Sequence, residues 1–405
     1  MDLGISDRVK PILAQVQQFV EQEIRPFEAE YHNEVSVGDR WQLTQPQYEI
    51  MDGLKAKARS QGLWNFFLTG ENEYGSGLNT VEYAYLAEAM ASSPMGPEVF
   101  NCAAPDTGNM EVLEKYGTPE QQKEWLEPLL AGEIRSAFAM TEPAVASSDA
   151  TNVCTSAVLD GDDWVINGEK FYISGAGDSR CKIMITMVKT NPEAPRHQQQ
   201  SQILVPIDTA GVEIVRPMHV YSMDDAPHGH MHIRYNNVRV PKENMILGAG
   251  RGFEISQGRL GPGRIHHCMR ALGVAEAALK MLCERSLSRE AFGKPLAHLG
   301  GNVDIIANAR MELDMARLLT LKTAWMMDNA DPKAARVDIS KIKVVVPNVA
   351  LKIIDEAVQM YGATGVSQDT PLAMMWMSTR TLRIADGPDA VHRRQITRAE
   401  LKKYS

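Results

Sequence analysis

Two carboxylates near the end of the chain are candidates for acid–base chemistry. Residues 385–389 read ADGPD, which places Asp386 before a glycine and Asp389 after a proline. A positioned carboxylate can serve as a general base. It can also be structural, because Asp before Gly often begins a turn and Asp389 could cap a following helix. The stretch therefore supplies one carboxylate for each role.

Histidines offer a second possible chemistry. His228, His230 and His232 alternate, so on a strand they would point to one face, where imidazoles could bind a metal. Neither a cysteine nor a carboxylate stands at a matching ligand spacing, and we predict no metal site. His266 and His267 are adjacent in a helical pattern and would face different directions. We expect one to pack in the core and the other to be solvated or to lie beside a bound group.

The bulk properties of the 405 residues exclude several classes of protein. A hydrophobic content of 44% is typical of a globular chain, and the length suggests two or three domains. A formal net charge of -9 argues against a nucleic-acid partner. Five scattered cysteines without a CxxC pair indicate reduced thiols. We find no secretory signal and no apolar run of the roughly 20 residues that a membrane span needs, and we expect a cytoplasmic protein.

Residues 1–135 are predicted to form a helical domain. Apolar residues at helical spacing predict a helix over 12–24, which Pro26 should end or kink. Residues 118–121 (TPEQ) combine a capping Thr, a Pro at the first helical position and a Gln that completes a capping box. Weaker helical patterns cover 48–61 and 81–91.

Residues 136–245 change period and are predicted to form a small β domain. Short segments, mostly rich in β-branched residues, are separated by turn residues. Residues 160–162 (DGD) and 167–168 (NG) are such turns, and the second is a hairpin signal. The predicted strands cover 156–159, 164–166, 170–174, 183–188, 203–207, 212–215 and 230–240.

Residues 246–405 return to long helical patterns, over 265–287, 303–327 and 339–360. Helices of this length predict a bundle. The chain order is therefore helices, β domain, helical bundle, which is a mainly α fold with a β middle domain. Strands and helices do not alternate, so a doubly wound nucleotide-binding fold is disfavoured.

Several motifs follow one another along the chain and resemble those of the acyl-CoA dehydrogenase family. The motifs are AMTEP at 139–143 with SSD at 147–149, KFYISG at 170–175, VPKEN at 240–244 with GRGF at 250–253, SREAFGKP at 288–295 and QMYGATG at 359–365. Their joint occurrence in one order makes chance a poor explanation. The first motif departs from the family pattern, because AVA at 144–146 replaces a glycine-rich stretch. The resemblance implies an N-terminal helical domain, a β-barrel middle domain and a C-terminal four-helix bundle.

The resemblance also implies FAD as cofactor and an acyl-CoA as substrate. Met140 and Thr141 would meet the flavin from a strand end, where Tyr172 offers a flat ring and Ser174 a hydroxyl. Arg289 would neutralise the FAD pyrophosphate of a neighbouring subunit. The cofactor-binding residues implied by the family motifs are Phe138, Met140, Thr141, Ser148, Tyr172, Ser174, Arg289, Phe292, Gln359, Gly362, Ala363, Pro388 and Ala390.

The implied substrate-binding residues are Ser148, which could face the pantetheine of CoA, and Arg264, whose counterpart approaches the acyl site. Two family contacts have no equivalent in this sequence. Gly261 stands where the family has an aspartate that contacts pantetheine, and Gly300 where relatives have a glutamine near the adenine.

In the family the catalytic base is usually a glutamate in a Tyr-Glu-Gly stretch, and the matching stretch here is ADG, so the implied base is Asp386. The base removes the pro-R α proton of the acyl-CoA while the β hydride passes to flavin N5, giving a 2-enoyl-CoA. An aspartate is one methylene shorter, which displaces the carboxylate by about 1.5 Å, and errors near 1 Å can matter greatly.

The surroundings of Asp386 resemble one branch of the family, related to the dehydrogenase domain fused to kinase-like domains in animals. Some of that branch is associated with 4-hydroxyacyl-CoA breakdown. Three functions stay open: desaturation in fatty acid β-oxidation with electron-transferring flavoprotein as acceptor, elimination from a 4-phosphorylated acyl-CoA, and a catalytically impaired flavin-binding scaffold. Because Arg289 and Phe292 would reach a neighbouring subunit's FAD, a homodimer or homotetramer is expected.

Overall fold

The computed structural model of the chain describes residues 1–71, 73–330 and 332–405. These residues form two compact units. The helical unit holds Met1–Pro26, Thr69–Pro97 and Gly263–Ser405, and the sheet unit holds Phe27–Leu68 and Glu98–Pro262. The domain boundaries near residues 135 and 245 stay a prediction.

Helices dominate the regular structure, and strands are concentrated in the middle of the sequence, as the change of hydrophobic period predicts. In chain order the helices are α1 (Val9–Phe19), α2 (Arg25–Glu34), α3 (Gln45–Ser60), α4 (Thr80–Met90), α5 (Gly96–Val99), α6 (Asp106–Tyr116), α7 (Pro119–Gln121), α8 (Glu127–Ala131), α9 (Gly252–Ser288), α10 (Asn302–Asn329), α11 (Pro332–Tyr361), α12 (Leu372–Thr381) and α13 (Asp389–Leu401). The capping box predicted at 118–121 is confirmed at the start of α7.

The sheet unit is built around one large sheet. The strands of the chain are β1 (Arg135–Ala139), β2 (Ser156–Asp160), β3 (Asp163–Ser174), β4 (Cys181–Lys189), β5 (Gln200–Pro206), β6 (Val212–Pro217), β7 (His230–Pro241), β8 (Glu290–Ala291) and β9 (Lys294–Pro295). The first seven form the sheet in the order β1-β4-β2-β3-β7-β6, with β5 also paired to β4. Alternate residues of β7, such as Met231, Ile233 and Tyr235, are buried in its core, as expected for a sheet with one packed face.

The hairpin predicted at residues 167–168 is wrong, because both residues lie inside strand β3. The turn that joins β2 to β3 lies at Gly161 instead. Gly168 lies where the register of β3 against β7 shifts, and its φ is 147°. A Cβ added there would lie 2.6 Å from Oγ1 of Thr155. The Asn-Gly pair therefore marks a strand irregularity that needs glycine for close approach.

The helical path does not end at Pro26. Helix α1 reaches Phe19, a π-helical turn covers Val20–Ile24, and α2 continues from Arg25 through Pro26. Proline cannot donate the usual backbone hydrogen bond, and a π-helical turn changes the hydrogen-bond pattern just before it. The chain therefore accommodates Pro26 within a continuing helix.

The helical unit is held together by polar contacts as well as by its apolar core. Asp328 of α10 accepts a hydrogen bond at 2.9 Å from the N–H of Thr80, which begins α4. Arg317 of α10 pairs with Glu88 of α4 at 2.7 Å. A carboxylate at a helix N-terminus satisfies unpaired N–H groups and suits the helix dipole. In the described part of the chain, no helix is both long and apolar enough to cross a membrane.

Replacing Gly168 by alanine is expected to destabilise the protein by about 1–3 kcal/mol, because the new methyl group would overlap Thr155. Gly161→Ala is the matched control. Its φ is also positive, at 65°, but nothing lies within 4 Å of an added Cβ, so its cost should be about 1 kcal/mol or less. Urea and thermal unfolding followed by circular dichroism measures both, and equal losses would contradict close packing at Gly168.

Candidate active site

Four of the predicted cofactor-binding residues lie on neighbouring segments of the sheet unit. Met140 and Thr141 directly follow β1, as predicted. The carbonyl of Thr141 accepts a hydrogen bond at 3.0 Å from the N–H of Phe171 in β3. Strand β3 also carries Tyr172 and Ser174. The structure therefore brings the segment with an exposed threonine next to the strand with the aromatic ring and the serine.

Tyr172 and Ser174 have distinct surroundings. Tyr172 is 43% exposed, its φ is 55°, and its ring meets that of Phe171 edge to face at 5.0 Å. The Ser174 hydroxyl lies 2.8 Å from Nδ1 of His230, whose Nε2 is 3.5 Å from a carboxylate oxygen of Asp225. Burial lowers the pKa of His230, and Asp225 acts in the opposite direction. The serine is thus the end of a short polar chain that the sequence did not indicate.

Phe138 and Ser148 are placed differently. Phe138 is partly buried, with Cζ of Arg259 3.9 Å from its ring centre. Nε of Arg259 also donates to the side-chain oxygen of Asn109 at 3.2 Å. Ser148 is exposed in the loop that follows the 139–143 motif. Phe138 is therefore part of a cation–π contact, whereas Ser148 is accessible to a ligand.

A buried ion pair supports the segment after β1, and sequence reasoning missed it. Lys170 is fully buried, and its ammonium donates to the carbonyl of Met140 at 2.9 Å and to Glu142 at 2.8 Å. The Glu142 carboxylate also accepts from the N–H groups of Cys154 and Thr155, at 2.7 and 2.9 Å. A lysine at an inward position of a predicted strand was the available signal, since such a charge needs a partner.

The pKa values of Lys170 and Glu142 are both shifted by the surroundings of the pair. Burial lowers the pKa of Lys170 to about 8, although Glu142 acts in the opposite direction. Burial acts to raise the pKa of Glu142, but Lys170 and the two backbone N–H groups outweigh it, so this pKa is lowered. The pair therefore depends on its hydrogen bonds to remain charged in the interior.

In the helical unit, Asp386 lies in the turn between α12 and α13. Its φ is 53° and that of Gly387 is 104°, so the local structure is a turn, as Asp before Gly suggests. Oδ2 of Asp386 lies 3.0 Å from Nε2 of His267. Nε of Arg264 donates to the Asp386 carbonyl at 2.8 Å. Helix α9 thus holds both the side chain and the backbone of this aspartate.

Buried Lys343 of α11 fixes the segment just before Asp386. Its ammonium donates to the carbonyls of Leu382 and Ala385, the second at 2.8 Å. Burial lowers the pKa of Lys343. These contacts fix the end of α12 and hence the place where the Asp386 turn begins.

The suggestion that Asp389 caps α13 is wrong. Asp389 is the first residue of α13, Pro388 precedes it, and no side-chain cap is formed. Oδ2 of Asp389 instead accepts from Nε of Arg383 at 3.0 Å and from the amide of Asn348 at 3.3 Å. Asp389 therefore ties the helix start to neighbouring segments by its side chain.

The remaining predicted cofactor-binding residues lie in the helical unit, and most are exposed. Phe292 is 97% exposed, in the turn between β8 and β9, and Arg289 precedes that hairpin. Gln359 lies near the end of α11, and Gly362 and Ala363 lie in the short 3-10 turn after it. Pro388 and Ala390 flank Asp389 at the start of α13. A ligand or a second subunit could reach these exposed positions.

The histidines singled out in the sequence have other partners. His232 lies 3.0 Å from Glu169, and His230 contacts Ser174. Among the described residues, no group of three or more His, Cys, Asp and Glu side chains could hold a metal ion. His266 packs its ring against Tyr83, with centroids 4.9 Å apart, whereas His267 reaches Asp386.

Each unit, taken by itself, carries donors of the kind that bind a flavin nucleotide. Hydroxyls such as those of Thr141 and Ser174 suit the polar edge of an isoalloxazine, and the Tyr172 ring offers a flat surface. The exposed Arg289 guanidinium suits a pyrophosphate. In the helical unit, the Asp386 carboxylate beside His267 adds a group able to accept a proton. Such a fold and such donors are typical of a flavoprotein of the oxidoreductase class.

The comparison with known families gives the particular family. Models of the N-terminal, middle and C-terminal domains of acyl-CoA dehydrogenases match residues 6–133, 137–236 and 250–401. The chain belongs to the acyl-CoA dehydrogenase family, whose members are FAD-containing oxidoreductases of the CH–CH group of acyl-CoA. The resemblance stated from the motifs is confirmed.

Individual relatives agree with this assignment. FadE2 of Mycobacterium tuberculosis, provisionally named an acyl-CoA dehydrogenase, is 51% identical over 100% of this chain and 98% of its own. Acyl-CoA dehydrogenase family member 10 of mouse and member 11 of chicken are each 51% identical over 99% of this chain, but the match covers 38% and 51% of those proteins. The chain thus spans about half, or less, of the length of these animal relatives, which belong to the branch that the sequence around Asp386 indicates.

Solved structures show the same fold. A provisionally assigned acyl-CoA dehydrogenase from Mycobacterium abscessus superimposes with a TM-score of 0.95 at 48% identity, covering 99% of this chain and 100% of that one. Butyryl-CoA dehydrogenase from Megasphaera elsdenii gives a TM-score of 0.81 at 27% identity, with the same coverage. The fold predicted from the chain order is therefore confirmed.

Removing the cation of the buried pair, as in Lys170→Met, should destabilise the protein by about 3–5 kcal/mol, because Glu142 would keep a buried, unpaired charge. Lys242→Met is the matched control, since Lys242 pairs with Asp162 at 2.6 Å on the surface and should contribute less than about 1 kcal/mol. Urea unfolding measures both variants. A loss for Lys170→Met no larger than that of the control would show that the buried pair does not stabilise this segment.

Proposed function

We propose that this chain is an FAD-dependent acyl-CoA dehydrogenase that converts an acyl-CoA into a 2-enoyl-CoA, with Asp386 as the base. The observation that carries the proposal is that Asp386 is fixed by two contacts. Its carboxylate lies beside His267, and its backbone carbonyl accepts a hydrogen bond from Arg264. Asp386 also stands in the stretch that corresponds to the base of the family. When bound, FAD supplies the acceptor for the β hydride.

The residues of the chain then have separate tasks in the reaction. The α C–H bond of a thioester is weakly acidic, so the base must stand directly beside it. A carboxylate oxygen of Asp386 takes the α proton while the α and β carbons form a double bond. Met140, Thr141, Tyr172 and Ser174 would hold the flavin, because they combine backbone groups, hydroxyls and an aromatic surface on adjoining segments.

Substrate contacts are assigned to Ser148 and Arg264. Ser148 is exposed and would meet the pantetheine. Nε of Arg264 is occupied by the Asp386 carbonyl, so its substrate contact would come from the terminal guanidinium nitrogens. Arg264 would thus link the position of the base to the presence of the acyl group.

The wider setting of the reaction is also proposed. Electron-transferring flavoprotein is the acceptor that reoxidises the flavin, and the pathway is fatty acid β-oxidation in the cytoplasm. A homodimer or homotetramer would complete the cofactor site through Arg289 and Phe292 of a neighbouring subunit. The almost complete exposure of Phe292 supports this assignment, since an exposed aromatic ring at a hairpin tip suits a contact with another chain.

Asp386→Asn should slow substrate-dependent flavin bleaching by about 100- to 10,000-fold, because the amide cannot accept the α proton. Anaerobic absorbance spectra with butyryl-, octanoyl- and palmitoyl-CoA measure the rate and identify the preferred chain length. Asp386→Glu, which keeps a carboxylate, should retain more activity than the asparagine variant. Asp369→Asn changes an exposed carboxylate elsewhere and should bleach at the parent rate.

A phosphate-release assay, run beside the bleaching assay, tests the two alternative functions, elimination and a flavin-binding scaffold. Release of inorganic phosphate from a 4-phosphorylated acyl-CoA, abolished by Asp386→Asn, would favour elimination over desaturation. A parent protein that binds FAD but neither bleaches nor releases phosphate would favour the scaffold. Undiminished bleaching by Asp386→Asn would remove Asp386 from the role of base.

Phe292→Ser should weaken subunit association and FAD retention together, because the exposed ring would lose its contact with the neighbouring subunit. Light scattering after size-exclusion chromatography measures the mass, and the absorbance ratio of flavin to protein measures FAD content. Val158→Ser, at an exposed residue of β2, is the control and should change neither quantity. A monomeric parent protein with full FAD content would contradict the shared site.

A further inference from the structure

His267 lies between a carboxylate and a guanidinium. Its Nε2 is 3.0 Å from Oδ2 of Asp386, and its Nδ1 is 3.3 Å from Nη2 of Arg270, one turn further along α9. Both ring nitrogens therefore have a polar neighbour, and these two neighbours differ in what they can do. Arg270 can only donate a hydrogen bond, whereas a carboxylate can accept one.

These partners determine where the imidazole carries its proton. Because Arg270 donates to Nδ1, that nitrogen must present its lone pair. A neutral imidazole then has its proton on Nε2, which points at the Asp386 carboxylate. The alternative tautomer would set an N–H of Arg270 against an N–H of His267, and it would leave Nε2 without a proton to donate to Asp386.

We propose that His267 is a positioning residue for Asp386, which acts as a neutral donor from Nε2 to the carboxylate and is held in this tautomer by Arg270. The inference rests on the proposed function, since His267 affects catalysis in this way only if Asp386 is the base. His267 orients the carboxylate and is not the group that receives the α proton.

Burial and the neighbouring cations act against a second proton on His267. Burial lowers the pKa of His267 most strongly, the Asp386 carboxylate raises it, and Arg270 and Lys343 lower it further, with a net shift downwards. A second proton would have to sit on Nδ1, where it would face the Arg270 guanidinium. Arg264 and His392 also border the Asp386 turn, and the pKa of His392 is itself lowered to about 4, by burial first and then by Arg264 and Lys343.

A short base needs this support more than a long one. The Asp386 carboxylate is one methylene nearer the backbone than that of a glutamate, so its reach depends on where the backbone lies. Lys343 holds the preceding carbonyl at 2.8 Å, Arg264 holds the carbonyl of Asp386 itself, and His267 holds Oδ2. The left-handed φ of 53° is thus maintained by contacts from α9 and α11. His267 sets the plane of the carboxylate and hence the direction of its other oxygen.

The first test uses two replacements of His267 that differ in hydrogen bonding. Glutamine can place an amide N–H near the position of Nε2 but cannot titrate, whereas alanine removes the donor. With the acyl-CoA that bleaches the parent flavin fastest, the rate for His267→Gln should stay within about threefold of the parent. His267→Ala should lose about 10- to 100-fold, as expected for a hydrogen bond to a charged group. His298→Gln changes an exposed histidine and should have no effect.

The pH dependence separates positioning from proton transfer. A neutral positioning residue predicts pH–rate profiles of the same shape for the parent protein and His267→Gln, because neither side chain at residue 267 would take the substrate proton. Loss of a rate-limiting ionisation in His267→Gln, together with a rate as low as that of His267→Ala, would show that His267 takes the proton and would overturn the proposal.

A spectroscopic test requires neither turnover nor correct folding of the His267→Gln and His267→Ala variants. Nitrogen-15 NMR of the protein labelled at histidine distinguishes protonated from unprotonated ring nitrogens. Between pH 6 and 8 the His267 ring should show a protonated Nε2 and a bare Nδ1. In Arg270→Met its pKa should rise, because a neighbouring positive charge is gone. A proton on Nδ1 at neutral pH, or no change in Arg270→Met, would overturn the assignment.

Different results would exclude Asp386 as the base and His267 as its positioning residue. Full activity of Asp386→Asn would end the role of Asp386 as base, while the NMR result would still report the tautomer of His267. A correct tautomer combined with a parent-like rate for His267→Ala would leave the base in place and end the positioning role.

Discussion

A buried ammonium group is the constraint on which the candidate base depends. Lys343 has no exposed surface, and its charge is satisfied by carbonyl groups at the end of α12 and in the turn that follows. The last carbonyls of a helix lack partners within the helix and carry partial negative charge, so a cation there is favourable. Separating the turn from Lys343 would leave a charge in the interior, which costs several kcal/mol. The position of Asp386 is therefore coupled to the packing of α11.

The sheet unit uses a similar device. Lys170 is buried and joins Glu142 to the carbonyl of Met140, so that a segment without regular structure is held by charge and hydrogen bonds. In both units an irregular segment proposed to act on substrate or cofactor is held by a buried lysine that lies on a helix or a strand. This arrangement lets a loop keep a definite geometry, as a site that positions reactants must.

The sequence predicted those features that depend on neighbouring residues. The capping box at 118–121 formed as expected, because Thr118 and Gln121 satisfy backbone groups within the same turn. The long helices of the C-terminal region follow from their apolar spacing. The Asn-Gly hairpin failed because the same two residues fit a strand irregularity, and only the approach of Thr155 to Gly168 distinguishes the two. Asp389 failed as a cap because it is the first residue inside α13, where its carboxylate instead accepts from Arg383 and Asn348.

By itself the sequence determined the family, the order of helical and β regions, and the choice of an aspartate in place of a glutamate at residue 386. These conclusions rest on residue identity and on short spacings, which the chain displays directly. Only the tertiary structure decided which side chains surround Asp386. His267, Arg264 and Lys343 are remote from it in sequence, and nothing in their local patterns requires the contact. Their role follows from how α9, α11 and the turn before α13 pack, because hydrogen bonds need partners in space and not in sequence.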